Sequence, residues 1–237
     1  MSVLVTGAAG AIGSACVDAF ASHGIEVLAQ DLDASSLEGR EGVTPISGNL
    51  QDPGVLARIG ELAEQTRLTA VVVAHGIAGS SALPDCTEEF TDRVLRINWS
   101  TIPALFDAVE TTLTRNQGKY IAVASQAALG GESENIVYCA SKFAINGWIQ
   151  AKQDLGGPIS FHSICPGATN SPLLMKAQKQ FAAAAGQTPE EYYTQRAKPI
   201  SLGRYGEPRE MGAAAYYLSQ PGPKPTILPV TGGDVLL

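Results

Sequence analysis

Positive charge is scarce in this 237-residue chain, which sets 16 Lys and Arg against 23 Asp and Glu for a net charge of −7. No Lys/Arg cluster offsets that balance, so a phosphate backbone is repelled and nucleic acid is not expected as a partner. The four cysteines, Cys16, Cys86, Cys139 and Cys165, show no paired metal-ligand spacing, and His23, His75 and His162 have no close metal-ligand neighbours in the chain. No metal site is expected. A chain of this length builds a core that needs no disulfide staples, so the thiols read as reduced and the protein as cytoplasmic. No stretch reaches the roughly 18 uninterrupted apolar residues of a membrane span, and a first strand starting at Ser2 leaves no room for a signal peptide. Neither membrane nor export is expected. Charged residues make up only 16% and hydrophobic ones 45%, which is too apolar for disorder and suits a single packed domain over 1–237.

Short apolar runs alternate with segments of helical period. The strand candidates are Val3 to Val5, Glu26 to Ala29, Val43 to Ile46, Leu68 to Val73, Tyr120 to Ala124, Ile159 to Ile164 and Thr226 to Val230. Between them lie helix candidates at about Ile12 to His23, Pro53 to Thr66, Glu88 to Arg115, Val137 to Leu155 and Pro208 to Ser219. Gly24 reads as a helix stop. This alternation predicts an α/β protein, a Rossmann-type doubly wound parallel sheet of about seven strands with helices on both faces. Two segments break the rhythm. Residues from Pro166 to Pro199 carry no strand pattern and exceed an ordinary connection, which suggests a lid over about 166–200. The prolines of Gln220 to Pro225 forbid regular structure before the last strand.

The turn Thr6-Gly7-Ala8-Ala9-Gly10-Ala11-Ile12-Gly13 follows the first strand and opens the first helix. Its backbone amides and the positive helix end would face a dinucleotide diphosphate. Asp31, at the end of the second strand, can accept hydrogen bonds from an adenosine ribose and would repel a 2′-phosphate. Neither Gly10 nor Leu32 supplies a cation to neutralise such a phosphate, so NAD is favoured over NADP. Tyr138 and Lys142 stand four apart, which on a helix stacks ammonium and phenol on one face and would favour the ionised phenol. Spacing alone is weak evidence, because Tyr192 with Arg196 and Tyr205 with Arg209 share it.

Taken together, these residues resemble the short-chain dehydrogenase/reductase family over essentially the whole chain. The glycine turn matches from Thr6 to Gly13, the Asn-Ser-Tyr-Lys set falls on Asn98, Ser125, Tyr138 and Lys142, and a Pro-Gly element falls on Pro166-Gly167. Leu202 to Pro208 is similar to a later family segment. The resemblance implies an NAD-dependent alcohol dehydrogenase or ketone reductase. Tyr138 would be the general acid/base and Lys142 would support its phenolate and hold the ribose. Ser125 would bond the substrate oxygen, and Asn98 would hold a water linking Lys142 to solvent. The cofactor would contact Gly7, Gly10, Ala11, Ile12, Gly13, Asp31, Leu32, Asn49, Leu50, Ala74, Gly76, Tyr138, Lys142, Pro166, Gly167, Thr169 and Ser171. Hydride transfer is the cofactor's chemistry, so the protein need only position the carbonyl and stabilise charge on its oxygen.

The chain departs from the family pattern at several points. Ala11 stands for a glycine, which should shift the turn slightly. Val73-Ala74-His75-Gly76 replaces Asn-Asn-Ala-Gly, removing two amides that tie neighbouring strands; His75 could line the cofactor cleft but reads rather as a packing residue, since the catalytic set is complete without it. His162 replaces Asn, and Ser171 replaces Thr while keeping the hydroxyl. The substrate pocket is expected to use Ser125, Gln126, Ala127, Ala128, Tyr138, Gly167, Leu173 and Leu174, with the Leu129 to Asn135 loop, Met175 and Phe181 as further walls. These walls are mostly apolar and no Arg or Lys is evident, so a neutral, bulky or aromatic secondary alcohol or ketone is expected. The long Glu88 to Arg115 helix and its partner at Val137 to Leu155 resemble the family's subunit interface, implying a homotetramer or dimer. The rival readings are a non-catalytic dinucleotide-sensing or scaffold protein on the same fold, and an epimerase or dehydratase, which usually needs a larger carboxyl-terminal domain.

Overall fold

The computed structural model describes residues 1–78, 86–133 and 135–235. Seven strands form one parallel sheet in the order β3-β2-β1-β4-β5-β6-β7. They are β1 Ser2–Thr6, β2 Glu26–Asp31, β3 Val43–Ser47, β4 Leu68–Val73, β5 Lys119–Val123, β6 Ser160–Pro166 and β7 Ile227–Val230. Every strand read from the sequence is present. β1 is buried along its whole length, as a central strand covered on both faces must be. Strand order reverses between β1 and β4, so a crevice opens at the carboxyl ends of those strands.

Helices cover both faces because strand side chains alternate. Leu4, Leu28, Val71 and Val73 pack against α2 (Pro53–Gln65), α4 (Thr101–Asn116) and α5 (Ile136–Asp154) through Ile59, Leu105, Phe106, Ile145 and Ile149. Val3, Val5, Val27, Ala29 and Val72 face the other way, onto α1 (Ala11–Ala21) and α8 (Pro208–Ser219), where they meet Val17, Phe20, Met211 and Leu218. Helix starts follow local chemistry. Asp52 accepts the Gly54 amide ahead of Pro53 at the first position of α2. At the other end of α1, Gly24 takes φ +68 as the chain turns toward β2.

The expected Glu88 to Arg115 helix is divided. α3 (Glu88–Leu95) and α4 are joined by a π turn at Arg96–Ser100. Pro103 has no N–H to return to Trp99, so the regular ladder fails there and a wider turn absorbs the extra residue. The stretch from Pro166 to Pro199 contains two helices, α6 (Pro172–Ala184) and α7 (Pro189–Ala197). Both start with a hydroxyl cap followed by proline, Ser171-Pro172 and Thr188-Pro189, and Thr188 completes a capping box with Glu191. Helical order therefore replaces the loop suggested by the sequence. The Gln220 to Pro225 stretch is irregular, as its prolines require. Among the described residues no helix is long and apolar enough to cross a membrane, and no group of His, Cys, Asp or Glu could hold a metal ion.

His162 on β6 is fully buried beside Ile121 of β5, and both of its ring nitrogens lack a hydrogen-bond partner. Burial, helped by the Lys119 charge, pushes its pKa down to about 4. The unfolded chain protonates a histidine near pH 6.5, so between those values only the unfolded state takes up the proton, and stability falls as pH is lowered through that window. His162→Leu should flatten the decline and raise stability at neutral pH by about 1 kcal/mol or more, since an unpartnered buried imidazole is removed. Thermal unfolding midpoints measured from pH 7.5 to pH 4 for both proteins check this.

Candidate active site

The glycine turn is shaped by what lies beneath it. A side chain on Gly7 would place its Cβ 2.7 Å from the His75 backbone, and Gly7 itself takes φ +63. A Cβ on Gly13 would come within 1.9 Å of the Gly7 carbonyl, so α1 can approach the turn this closely only with glycine there. Gly10 caps α1 without a side-chain partner, and the free amides of that first turn form a cradle for a diphosphate. Asp31 is drawn into the same turn: its Oδ2 accepts the Ala9 N–H at 2.9 Å and its Oδ1 the Leu32 N–H at 2.7 Å. Lone pairs on both oxygens remain for a ribose. Asn49 accepts the Gln51 amide at 2.9 Å, while the Leu50 side chain is buried in the core and leaves only its backbone for a ligand.

His75, two residues beyond β4, bridges two threonine hydroxyls. Its Nδ1 lies 2.7 Å from the Thr6 hydroxyl and its Nε2 2.7 Å from that of Thr101. Thr101 donates its own proton to the Ile97 carbonyl at 2.8 Å, so Nε2 carries the imidazole proton and Nδ1 accepts from Thr6. Burial first, and then the Lys142 charge, hold the pKa near 4, so the ring is neutral. The packing role expected of His75 is thus a tie between the end of β1 and the π turn that carries Asn98.

On α5, four-residue spacing places Lys142 and Tyr138 on one face, with the Lys142 Nζ 5.7 Å from the phenol ring centroid. Nζ donates to the Val123 carbonyl at 3.0 Å. Tyr138 is hydrogen-bonded to Ser125, which follows β5. Burial dominates both ionisations. It pushes Tyr138 up to about 12 against the lowering effect of Ser125, and it pushes Lys142 down to about 8. The expected acidic phenol is therefore corrected: desolvation outweighs the ammonium. Asn98 is buried, with Oδ1 accepting the Ile77 amide at 2.8 Å and Nδ2 donating to the Ile77 carbonyl at 2.9 Å and the Ser141 hydroxyl at 3.1 Å. That side chain anchors the π turn, so any water it served would have to meet its backbone instead.

A cavity of about 530 Å³ opens over this cluster. Of the residues expected from the sequence, Ile12, Ala74, Gly76, Ser125, Gln126, Tyr138, Lys142, Pro166, Gly167, Thr169, Ser171, Leu173 and Leu174 line it. Gly7, Gly10, Ala11, Gly13, Asp31, Leu32, Asn49, Leu50, Asn98 and Ala127 do not. Ala127 is buried, and its amide donates to Ser125 Oγ at 3.1 Å. Ser171 Oγ accepts the Leu174 amide at 3.2 Å as the cap of α6. Glu134 of the expected Leu129 to Asn135 wall lies outside the described residues.

The walls are less apolar than expected. Glu132, Gln178, Tyr192, Arg196 and Tyr205 also face the cavity, and Gln178 donates to the Tyr205 hydroxyl at 3.1 Å. The Tyr192 and Arg196 pair, unremarkable by spacing, was a usable signal once α7 was known to fold over the site. Arg196 does not act as a free cation, because its Nη1 pairs with Asp234 Oδ2 at 3.1 Å. A glycine turn after β1, a carboxylate at the end of β2 and the Ser125, Tyr138 and Lys142 cluster thus gather at the carboxyl ends of the strands, where the strand order reverses.

Residues 1–182 match the family described as short chain dehydrogenase. The chain belongs to that family and is an oxidoreductase of the kind that acts on alcohols and ketones. It is 29% identical over 230 residues to a galactitol 2-dehydrogenase of Agrobacterium fabrum, covering 91% of this chain and 89% of that protein. A shorter match, 32% identical over 158 residues and 65% of this chain, spans 60% of a Streptomyces virginiae protein named for ketoacyl reduction in monensin polyketide synthesis. The crystal structure of a short chain dehydrogenase family protein from Francisella tularensis has the same fold, with a TM-score of 0.89 at 20% identity and 98% of each chain covered.

His75→Ala should strand the buried Thr6 and Thr101 hydroxyls and open a cavity beneath the glycine turn. The expected loss is about 2–4 kcal/mol of unfolding free energy together with weaker dinucleotide binding, read from denaturant midpoints with and without cofactor.

Proposed function

We propose that this protein is an NAD(H)-dependent oxidoreductase that interconverts a neutral, bulky or aromatic secondary alcohol and its ketone, with Tyr138 as general acid/base. The observation that carries the reading is the Ser125, Tyr138 and Lys142 cluster at the cavity floor, adjoining the glycine turn. The cradle at Gly7, Gly10 and Gly13 and the space kept open by Gly76 fit a dinucleotide; a Cβ on Gly76 would press to 3.3 Å from Asn98 Oδ1 and 3.5 Å from Lys142 Nζ. When bound, that cofactor supplies or takes up the hydride and its charge. Asp31, with its negative charge at the ribose end and no cation beside it, favours NAD.

In alcohol oxidation Ser125 holds the substrate oxygen and Tyr138 Oη takes its proton; in ketone reduction the proton returns from Tyr138. Lys142 holds the ribose hydroxyls of the cofactor beside the phenol. The cavity has room for a bulky substrate, and the pairing of Arg196 with Asp234 argues against an anionic one. The galactitol dehydrogenase relative acts on a neutral alcohol by name. We further assign the protein to the cytoplasm, where its free thiols would stay reduced, and a homotetramer or dimer built on α4 and α5. Exposed Phe143 on α5 and Leu155 at its carboxyl-terminal cap support that interface.

Tyr138→Phe should lower kcat by roughly 10³-fold or more while dinucleotide binding, followed by fluorescence titration, persists. Oxidation should speed up with rising pH as Tyr138 loses its proton, and reduction should slow over the same range. NADH absorbance with panels of neutral ketones and secondary alcohols measures both. Asp31→Ala should weaken NAD far more than NADP; equal losses would remove the assignment. Light scattering that showed only monomer would remove the oligomer.

A further inference from the structure

We propose that Glu132, assisted by Gln126, sets the specificity of the cavity and selects a neutral substrate that carries a hydroxyl on the carbon next to the reacting one. This inference rests on the oxidoreductase reading above and deepens it. Glu132 faces the cavity from the segment between β5 and α5. Its backbone is pinned, with its N–H donating to Cys139 Sγ at 3.3 Å and its carbonyl accepting the Asn135 amide at 3.0 Å. Asn135 Nδ2 donates to Oε2 at 2.9 Å, and among the described residues no cation pairs with the carboxylate and Oε1 has no partner. The carboxylate is near enough to Tyr138 to oppose ionisation of the phenol.

Gln126 stands one residue beyond Ser125, with its backbone carbonyl fixed by the Leu129 amide at 2.8 Å. Its Oε1 is buried against Gly167, where a Cβ on Gly167 would lie 3.0 Å away, and among the described residues neither Oε1 nor the amide N–H groups have a partner. The wall beside Tyr138 thus offers one unused carboxylate acceptor and one unused amide donor, while Arg196 is already neutralised by Asp234. Across the cavity, Leu173, Leu174 and Phe181 offer an apolar bed.

A hydroxyl is both donor and acceptor, so it satisfies Glu132 and Gln126 together. A plain alkyl group would strip water from the carboxylate and replace it with nothing, and a carboxylate or phosphate would be repelled. The substrate that fits has an apolar body and a vicinal diol, or the matching α-hydroxyketone.

The test compares kcat/KM for cyclohexane-1,2-diol, cyclohexanol and 2-aminocyclohexanol with NAD and with NADP. Wild type should prefer the diol over cyclohexanol by about 10-fold or more, and Glu132→Leu should lower that ratio by about 10-fold, to near parity. Glu132→Gln, which keeps an acceptor oxygen, should hold most of the preference. If Glu132→Leu fails to fold, Gln126→Leu should lower the same ratio. An unchanged ratio in the folded variant, equal use of diol and cyclohexanol by wild type, or preference for the amino alcohol would each overturn the inference and leave the oxidoreductase reading standing. Absence of turnover with all three alcohols and both dinucleotides would remove that reading first, and this one with it.

Discussion

Everything at the site depends on how closely the glycine turn rests on the strand beside it. Gly7 lies so near the His75 backbone that no Cβ fits between them, and Gly13 presses α1 onto the Gly7 carbonyl. From that contact the imidazole of His75 runs to Thr6 on one side and Thr101 on the other. The diphosphate cradle and the Asn98 turn are thus held by one buried, neutral ring. In this chain a single histidine ties the two segments together, and its burial keeps it neutral.

The second governing term is desolvation. Tyr138 and Lys142 are close, yet the phenol is held up near 12 and the ammonium down near 8, because neither charge is welcome in a dry pocket. Proximity of opposite partners therefore does not by itself create a reactive tyrosinate here. Ser125 is the group that pulls the phenol's pKa back down, and Glu132 works against it. The same carboxylate that opposes ionisation faces the cavity.

Much of this was legible in the chain. All seven strands were, because buried parallel strands are continuous apolar runs between polar, helix-period segments. So were the glycine turn, Asp31, Ser125, Tyr138 and Lys142, since fixed spacing next to recognisable elements carries them. The π turn was less legible, although Pro103 marks where the ladder must fail. The helices α6 and α7 were missed despite the Ser171-Pro172 and Thr188-Pro189 starts, because a segment without strand pattern reads equally well as loop.

By itself the sequence determined the strand and helix order and the identities of the groups that can carry the chemistry. These depend on local period and spacing, which a linear chain displays. Only the tertiary structure decided what each group faces. Arg196 is cancelled by Asp234, 38 residues away; Glu132 has no cation among the described residues; His75 joins residues 6 and 101. Such pairings arise from packing of elements distant in the chain, and burial, which sets both proton affinity and the cost of an unmet hydrogen bond, exists only after that packing is complete.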